Sequence, residues 1–119
     1  MKTTLAAIML MISTTAHAAH LHKEAEYRDA WCMGQTEVTL SDGTRADCVT
    51  TNYAIEVDFA RKWAEGVGQT LHYAWLTGKK PALLLIVEKE TDWKYYNRVL
   101  PTAQKHNIRL WYITPRRLK

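Results

Sequence analysis

Six consecutive apolar residues, Ala82-Leu83-Leu84-Leu85-Ile86-Val87, constrain this chain more than any other segment. A strand with one wet face alternates polar and apolar side chains. An unbroken apolar run of this length reads instead as a central strand covered on both faces. Gly78 suits the end of a preceding helix and Pro81 the start of the strand. A sheet covered on both faces needs helices above and below it.

The flanking segments supply those layers. Residues 20–31 are polar with Leu21, Ala25, Tyr27 and Trp31 interspersed, which reads as a first helix. Thr36 to Leu40 and Arg45 to Thr50 alternate on either side of Ser41-Asp42-Gly43-Thr44, a hairpin signal. A third strand covers residues 53–59. A helix follows from Ala60 to Thr77, with Trp63, Val67, Leu71 and Ala74 at helical spacing as its expected buried stripe. Gly66 and Gly68 weaken that helix and suggest close packing on the sheet. A second amphipathic stretch, Thr91 to His106, contains Pro101, which is expected to kink or divide it. Ile108 to Ile113 reads as the last strand. The fold class is therefore α/β (α+β): a mixed sheet in αβββαβ order plus a C-terminal helix and strand.

The chain has 119 residues, room for one domain. Its start reads as a signal peptide over residues 1–18. Lys2 is followed by the apolar run Leu5 to Ile12, and Ala16-His17-Ala18 is a small-x-small cleavage site. The mature domain is then residues 19–119, exported to the periplasm or secreted. An uncleaved anchor or a buried first helix are the alternatives. Cys32 and Cys48 are the only cysteines. In an oxidising compartment they are expected to form a disulfide closing a loop of about 15 residues. Metal ligation or two free buried thiols are the other readings. The formal net charge of +4 tolerates polyanions without identifying a nucleic-acid binder. Lys79-Lys80 and the tail Arg116-Arg117-Leu118-Lys119 carry much of the excess.

Chemistry concentrates in the second and third strands. Asp47 lies among apolar residues in one, and Glu56-Val57-Asp58 in the other. A carboxylate on a covered strand is costly unless a cation compensates it. Asp47, Glu56 and Asp58 on adjacent strands can converge on one point, as a protein does to hold Mg²⁺. Lys62, Gln69 and Tyr73 follow near one face of the helix. The blander readings are a solvent acid beside Arg45, an ion-pair cluster of Glu56 and Asp58 with Arg61 and Lys62, and a Tyr73 that caps the core boundary. Asp42 belongs to the turn. Glu37 reads as solvated. His20 and His22 read as a surface pair, and Trp93, Tyr95 and Tyr96 as core that could alternatively stack bases. The sequence has no Ser-His-Asp spacing, Gly-rich phosphate loop or zinc-finger pattern.

This order of elements, with Asp47 on the second strand and Glu56 on the third, resembles the PD-(D/E)XK nuclease superfamily, the restriction-endonuclease-like fold. The resemblance covers roughly residues 22–113. Gln69-Thr70-Leu71-His72-Tyr73 is similar to the QxxxY signature of its exonuclease branches. The family usually carries Lys two residues after the strand acid, where this chain has Asp58. Some members move that lysine to the neighbouring helix, which makes Lys62 the candidate.

The resemblance implies a small exported nuclease using Mg²⁺ or Mn²⁺ on DNA or RNA, with low sequence specificity unless it forms a homodimer. Asp47, Glu56 and the Val57 carbonyl would be the metal ligands. Asp58 would be a further ligand or a partner of Lys62, which orients water or stabilises the charged phosphorus centre. Gln69 and Tyr73 would hydrogen-bond a phosphate. Glu24 or Glu26 would complete the site, as a helix acid does in parts of the family. The displaced lysine motivates the alternative, a catalytically inactive binding module for nucleic acid or protein.

Overall fold

A computed structural model describes residues 19–119, so the expected signal peptide lies outside the described residues. Helix α1 (Glu24–Trp31) precedes β1 (Gln35–Thr39), β2 (Arg45–Val49) and β3 (Tyr53–Phe59). A 3-10 turn, Ala60–Lys62, leads into α2 (Trp63–Thr77); β4 (Lys80–Ile86), α3 (Trp93–Lys105) and β5 (Arg109–Ile113) complete the domain. One mixed five-stranded sheet runs in the order β1-β2-β3-β4-β5. The first two pairings are antiparallel, and β3-β4 and β4-β5 are parallel. This is the α/β architecture that the apolar run and the hairpin signal predict.

Strand alternation sends the two faces of β4 into two cores. Ala82, Leu84 and Ile86 join Tyr27, Ile55 and Val57 on the α1 side. Leu83, Leu85 and Val87 meet Val99 and Ala103 of α3, with Trp63 and Val67 of α2 at the margin. At roughly 25 cal/mol per Å² of apolar surface, a fully buried leucine or isoleucine contributes about 1.5–3 kcal/mol.

The buried stripe of α2 differs from the expected one. Gly66, Thr70 and Tyr73 face the sheet, while Leu71 is 41% exposed. The cause is closeness. A Cβ at Gly66 would lie 2.7 Å from Leu83 Cδ1, so a larger residue there would force the buried Leu83 side chain or the helix to move. Gly68 faces open space and plays no such part. The Thr70 hydroxyl accepts the Ala82 N–H at 3.0 Å and lies 3.0 Å from the Ala54 carbonyl, tying α2 to β3 and β4 through polar backbone. A helix sunk this deep buries small and polar residues, whereas apolar periodicity alone selects Leu71.

Pro101 does not divide the stretch; α3 runs unbroken through it. Pro101 sits on the exposed side while Val99 and Ala103 hold the inner face. Packing of that face outweighs the single lost backbone bond.

The strap before α1 is organised by one carboxylate. Glu88, just past β4, has a side chain only 3% exposed. It accepts the Tyr27 hydroxyl at 2.7 Å, the Leu21 N–H at 2.9 Å and the His22 N–H at 3.3 Å, and pairs with His20 Nδ1 at 2.7 Å. His20 also stacks on Phe59. The surface pair expected of His20 and His22 is thus an anchored segment. Despite burial, these donors hold the Glu88 carboxyl below its ordinary 4.5.

Cys32 and Cys48 form a disulfide across a separation of 16 residues, joining the end of α1 to β2. Among the described residues no cysteine is free, and no helix is long and apolar enough to cross a membrane. Closing a loop of this size stabilises a fold by about 3 kcal/mol on the chain-entropy view. Reducing the bond, or replacing both cysteines by alanine, is expected to lower the unfolding free energy by about 2–4 kcal/mol in a urea titration. Oxidised and reduced curves that superimpose would contradict this.

Candidate active site: a buried carboxylate cluster

The site begins where β2 parts from β3. Their ladder pairs only Cys48 with Ile55 and Val49 with Ala54. Beyond it, the Asp47 side chain replaces the ladder: Oδ2 accepts the Val57 N–H at 2.8 Å. That bond holds Asp47 beside Glu56. It also shows that Asp47 is not merely a solvent acid paired with Arg45. On β3, Glu56 and Asp58 share the face that α2 covers, since side chains two apart point the same way. They are only 5% and 4% exposed.

Two acids buried this way cannot ionise freely. Burial, then the Asp47 carboxylate, push Glu56 up to about 10. A neutral Glu56 can share its proton with Asp47. An ionised one has nothing to receive its charge, because Glu56 Oε2 is buried with no hydrogen-bond partner. Burial and then Glu24 raise Asp58 to about 7, opposed by Lys62. Glu24, at the start of α1, is itself raised by burial and by Asp47, with Lys62 and Arg28 acting in the other direction. Three separate elements therefore bring Glu24, Asp47, Glu56 and Asp58 into one electrostatic neighbourhood.

The helix residues occupy different positions around it. Lys62 lies in the 3-10 turn, as the residue before α2, and its side chain is exposed. It acts on Glu24 and Asp58 through charge alone, and among the described residues it makes no ion pair within 4 Å. Tyr73 is buried; burial, Glu56 and Asp47 raise its hydroxyl to about 12, eased by the neighbouring Gln69. Tyr73 thus stands at the acid cluster, with Gln69 beside it.

Other acids are spoken for. Glu26 accepts the Lys23 N–H at 2.8 Å and pairs with His22, away from the cluster. Glu37 pairs with Arg28 at 3.1 Å rather than being solvated alone. Asp42 caps its turn through the Thr44 N–H and also meets His72 Nε2 at 2.6 Å. Glu65 and Arg28 belong to the neighbourhood and carry no signal in the strand pattern. Only their spacing from Lys62 and Glu24 along the two helices points to them.

The donor set suits a hard divalent cation: several carboxylates, one with an orphaned buried oxygen. Against that, no three His, Cys, Asp or Glu side chains among the described residues are drawn together tightly enough to form a ready-made cage. Glu56 and Asp58 favour their protonated forms, and a cation would compete with those protons.

Compared with known proteins, the chain matches no family model, no curated protein and no solved structure.

The sign of the pH dependence follows from the direction of the shifts. Glu56 and Asp58 bind protons more tightly folded than unfolded. Their contribution to stability is complete below their ordinary values of 4.5 and 3.8, and it declines as pH rises toward about 10 and 7. Glu56→Gln removes the charge while its amide can still donate to Asp47. In chelator at pH 8 this variant is expected to be more stable than the parent by about 1–3 kcal/mol, with the gain gone at pH 4. A Glu56→Gln protein no more stable than the parent at pH 8 would show that Glu56 is not a strained acid.

Proposed function

We propose that the protein is a small exported, metal-dependent nuclease of the restriction-endonuclease-like class, hydrolysing phosphodiester bonds with low sequence specificity. The observation that carries this reading is the orphaned, buried Glu56 carboxylate beside Asp47. Such a pair is costly alone and becomes favourable when a cation is shared between them. The αβββαβ order, Tyr73 at the cluster and the disulfide, which suits an oxidising compartment, support it further.

In this reading Asp47 and Glu56 hold Mg²⁺ or Mn²⁺, with the Val57 carbonyl on the same strand. The ion supplies, when bound, water activation and neutralisation of charge at phosphorus. Asp58, on the same strand face as Glu56, would be a further ligand or a partner of Lys62. Lys62, just past the end of β3, contributes positive charge toward the phosphoryl oxygens. Tyr73 stays protonated at all working pH values and donates to a phosphate, with Gln69 beside it.

A second reading has a specific observation behind it. Asp58 fills the slot where the resembled family usually carries lysine, and Lys62 is exposed rather than directed by a bonded partner. A catalytically inactive module would bind nucleic acid or protein without turnover, and no metal would stabilise it.

Thermal unfolding and cleavage assays separate the two. Millimolar Mn²⁺ is expected to raise the unfolding midpoint, since a ligand bound only to the folded state stabilises it. That shift should vanish in Glu56→Gln. Labelled DNA or RNA should be cut with Mg²⁺ or Mn²⁺, and Asp47→Asn should reduce the rate by roughly 100-fold. Cleavage at full rate in Asp47→Asn and Glu56→Gln, or none in the parent at any metal concentration, removes the nuclease reading.

A further inference from the structure

A cleft of about 330 Å³ opens beyond the C-terminal ends of β3 and β4. Ligands of parallel sheets bind at this end of the strands. Phe59, one residue past Asp58, Tyr95 of α3, Arg61 and Lys89 are among the residues that line it. Lys62 follows Arg61 directly in the chain.

Its cations and its acids are placed differently. Two carboxylates line it, Glu88 and Asp92. Both are already engaged. Glu88 accepts the N-terminal strap and the Tyr27 hydroxyl, and Asp92 Oδ2 accepts the Glu88 and Lys89 N–H groups, each at 3.0 Å. Arg61 and Lys89 are exposed, and among the described residues neither enters an ion pair. The cleft lining is thus balanced in charge, with Arg61 and Lys89 free to meet an incoming ligand and both carboxylates held by the protein's own donors.

Its aromatic wall is equally particular. The Phe59 ring is covered by His20, stacked at 3.4 Å. The Tyr95 ring is attended by cations, Lys94 Nζ at 5.0 Å and Arg98 Cζ at 5.7 Å from its centroid. Two long cationic side chains over one aromatic ring can swing to phosphates and leave the ring to a base. A base reaches a ring in this way only when it is unpaired. In a duplex the bases are stacked on each other and the edges face the grooves.

We infer that this cleft is a binding site for an unpaired nucleotide, Tyr95 stacking the base while Arg61, Lys89, Lys94 and Arg98 take the flanking phosphates, so that the protein prefers single-stranded nucleic acid. The inference stands apart from the nuclease reading, since no acid of the cluster lines the cleft.

Fluorescence anisotropy of the full mature protein in chelator tests it without cleavage. The probes are labelled oligothymidylate and oligouridylate of about eight nucleotides, and a hairpin duplex of similar charge. Either single strand should bind at least several-fold more tightly than the duplex, and the difference between the two assigns DNA or RNA. Tyr95→Ala should weaken single-strand binding about 5- to 100-fold, and Tyr95→Phe should retain it. Because Tyr95 also touches the α3 core, the exposed pair Arg61→Gln/Lys89→Gln gives an independent reading. The double variant should lower the steepness of the salt dependence by about 0.7 for each phosphate it no longer neutralises. Tighter binding to the duplex, or a salt slope unchanged in the double variant, overturns the inference. Single-strand binding that persists in a protein unable to cut supports this site and removes the nuclease reading instead.

Discussion

The bond from Val57 N–H to Asp47 Oδ2 is the point on which the rest of this structure turns. Two antiparallel strands that separate leave backbone donors without partners, and a buried unpaired N–H is costly. Here a side chain on the departing strand fills the gap. The strands can then diverge without an orphaned donor, and the same contact delivers a carboxylate to the side of Glu56. Sheet geometry and site chemistry are one feature. The disulfide reinforces it from the adjacent residue, since Cys48 fixes β2 to the end of the helix that carries Glu24.

What gathers there is unfavourable for the fold. Glu56 and Asp58 are covered by α2, which sits close because Gly66 has no side chain. A fold optimised for stability alone would place apolar residues at both positions. Strain confined to one cluster, in a domain otherwise well packed, is the pattern expected of a site that waits for a ligand of opposite charge. The contrast with Glu88 is instructive. That carboxylate is also buried, but four donors surround it, and its proton affinity falls instead of rising. One acid is met by donors on every side, and the other, Glu56, has an oxygen that no donor meets.

The sheet is legible in the sequence because its signals are strong and local: an unbroken apolar strand, a hairpin around Asp42-Gly43, and two cysteines at a spacing that closes a stable loop. The neighbours Asp47 and Glu56 can be read from the strand pattern together with a family resemblance. Other features escape for physical reasons. Periodicity picks the wrong stripe on α2 because glycine and threonine carry no hydrophobic signal, although they permit the closest approach. Pro101 reads as a break because local propensity cannot register the packing of Val99 and Ala103. The roles of Glu88 and Tyr95 depend on contacts across most of the chain, which no local window contains.

The seven matched pairs of β3 and β4, from Tyr53 with Lys80 to Phe59 with Ile86, have a consequence for how the protein can vary. Side chains alternate along β3, so sliding it by one residue would turn Val57 toward the cluster and bury Glu56 in the opposite oily layer. An inserted or deleted residue within β3 is therefore a far graver change than any single replacement there. The turn around Gly43 lies beyond this interlock, so a change of length there would disturb the Asp42 contact with His72 and leave the register of β3 intact.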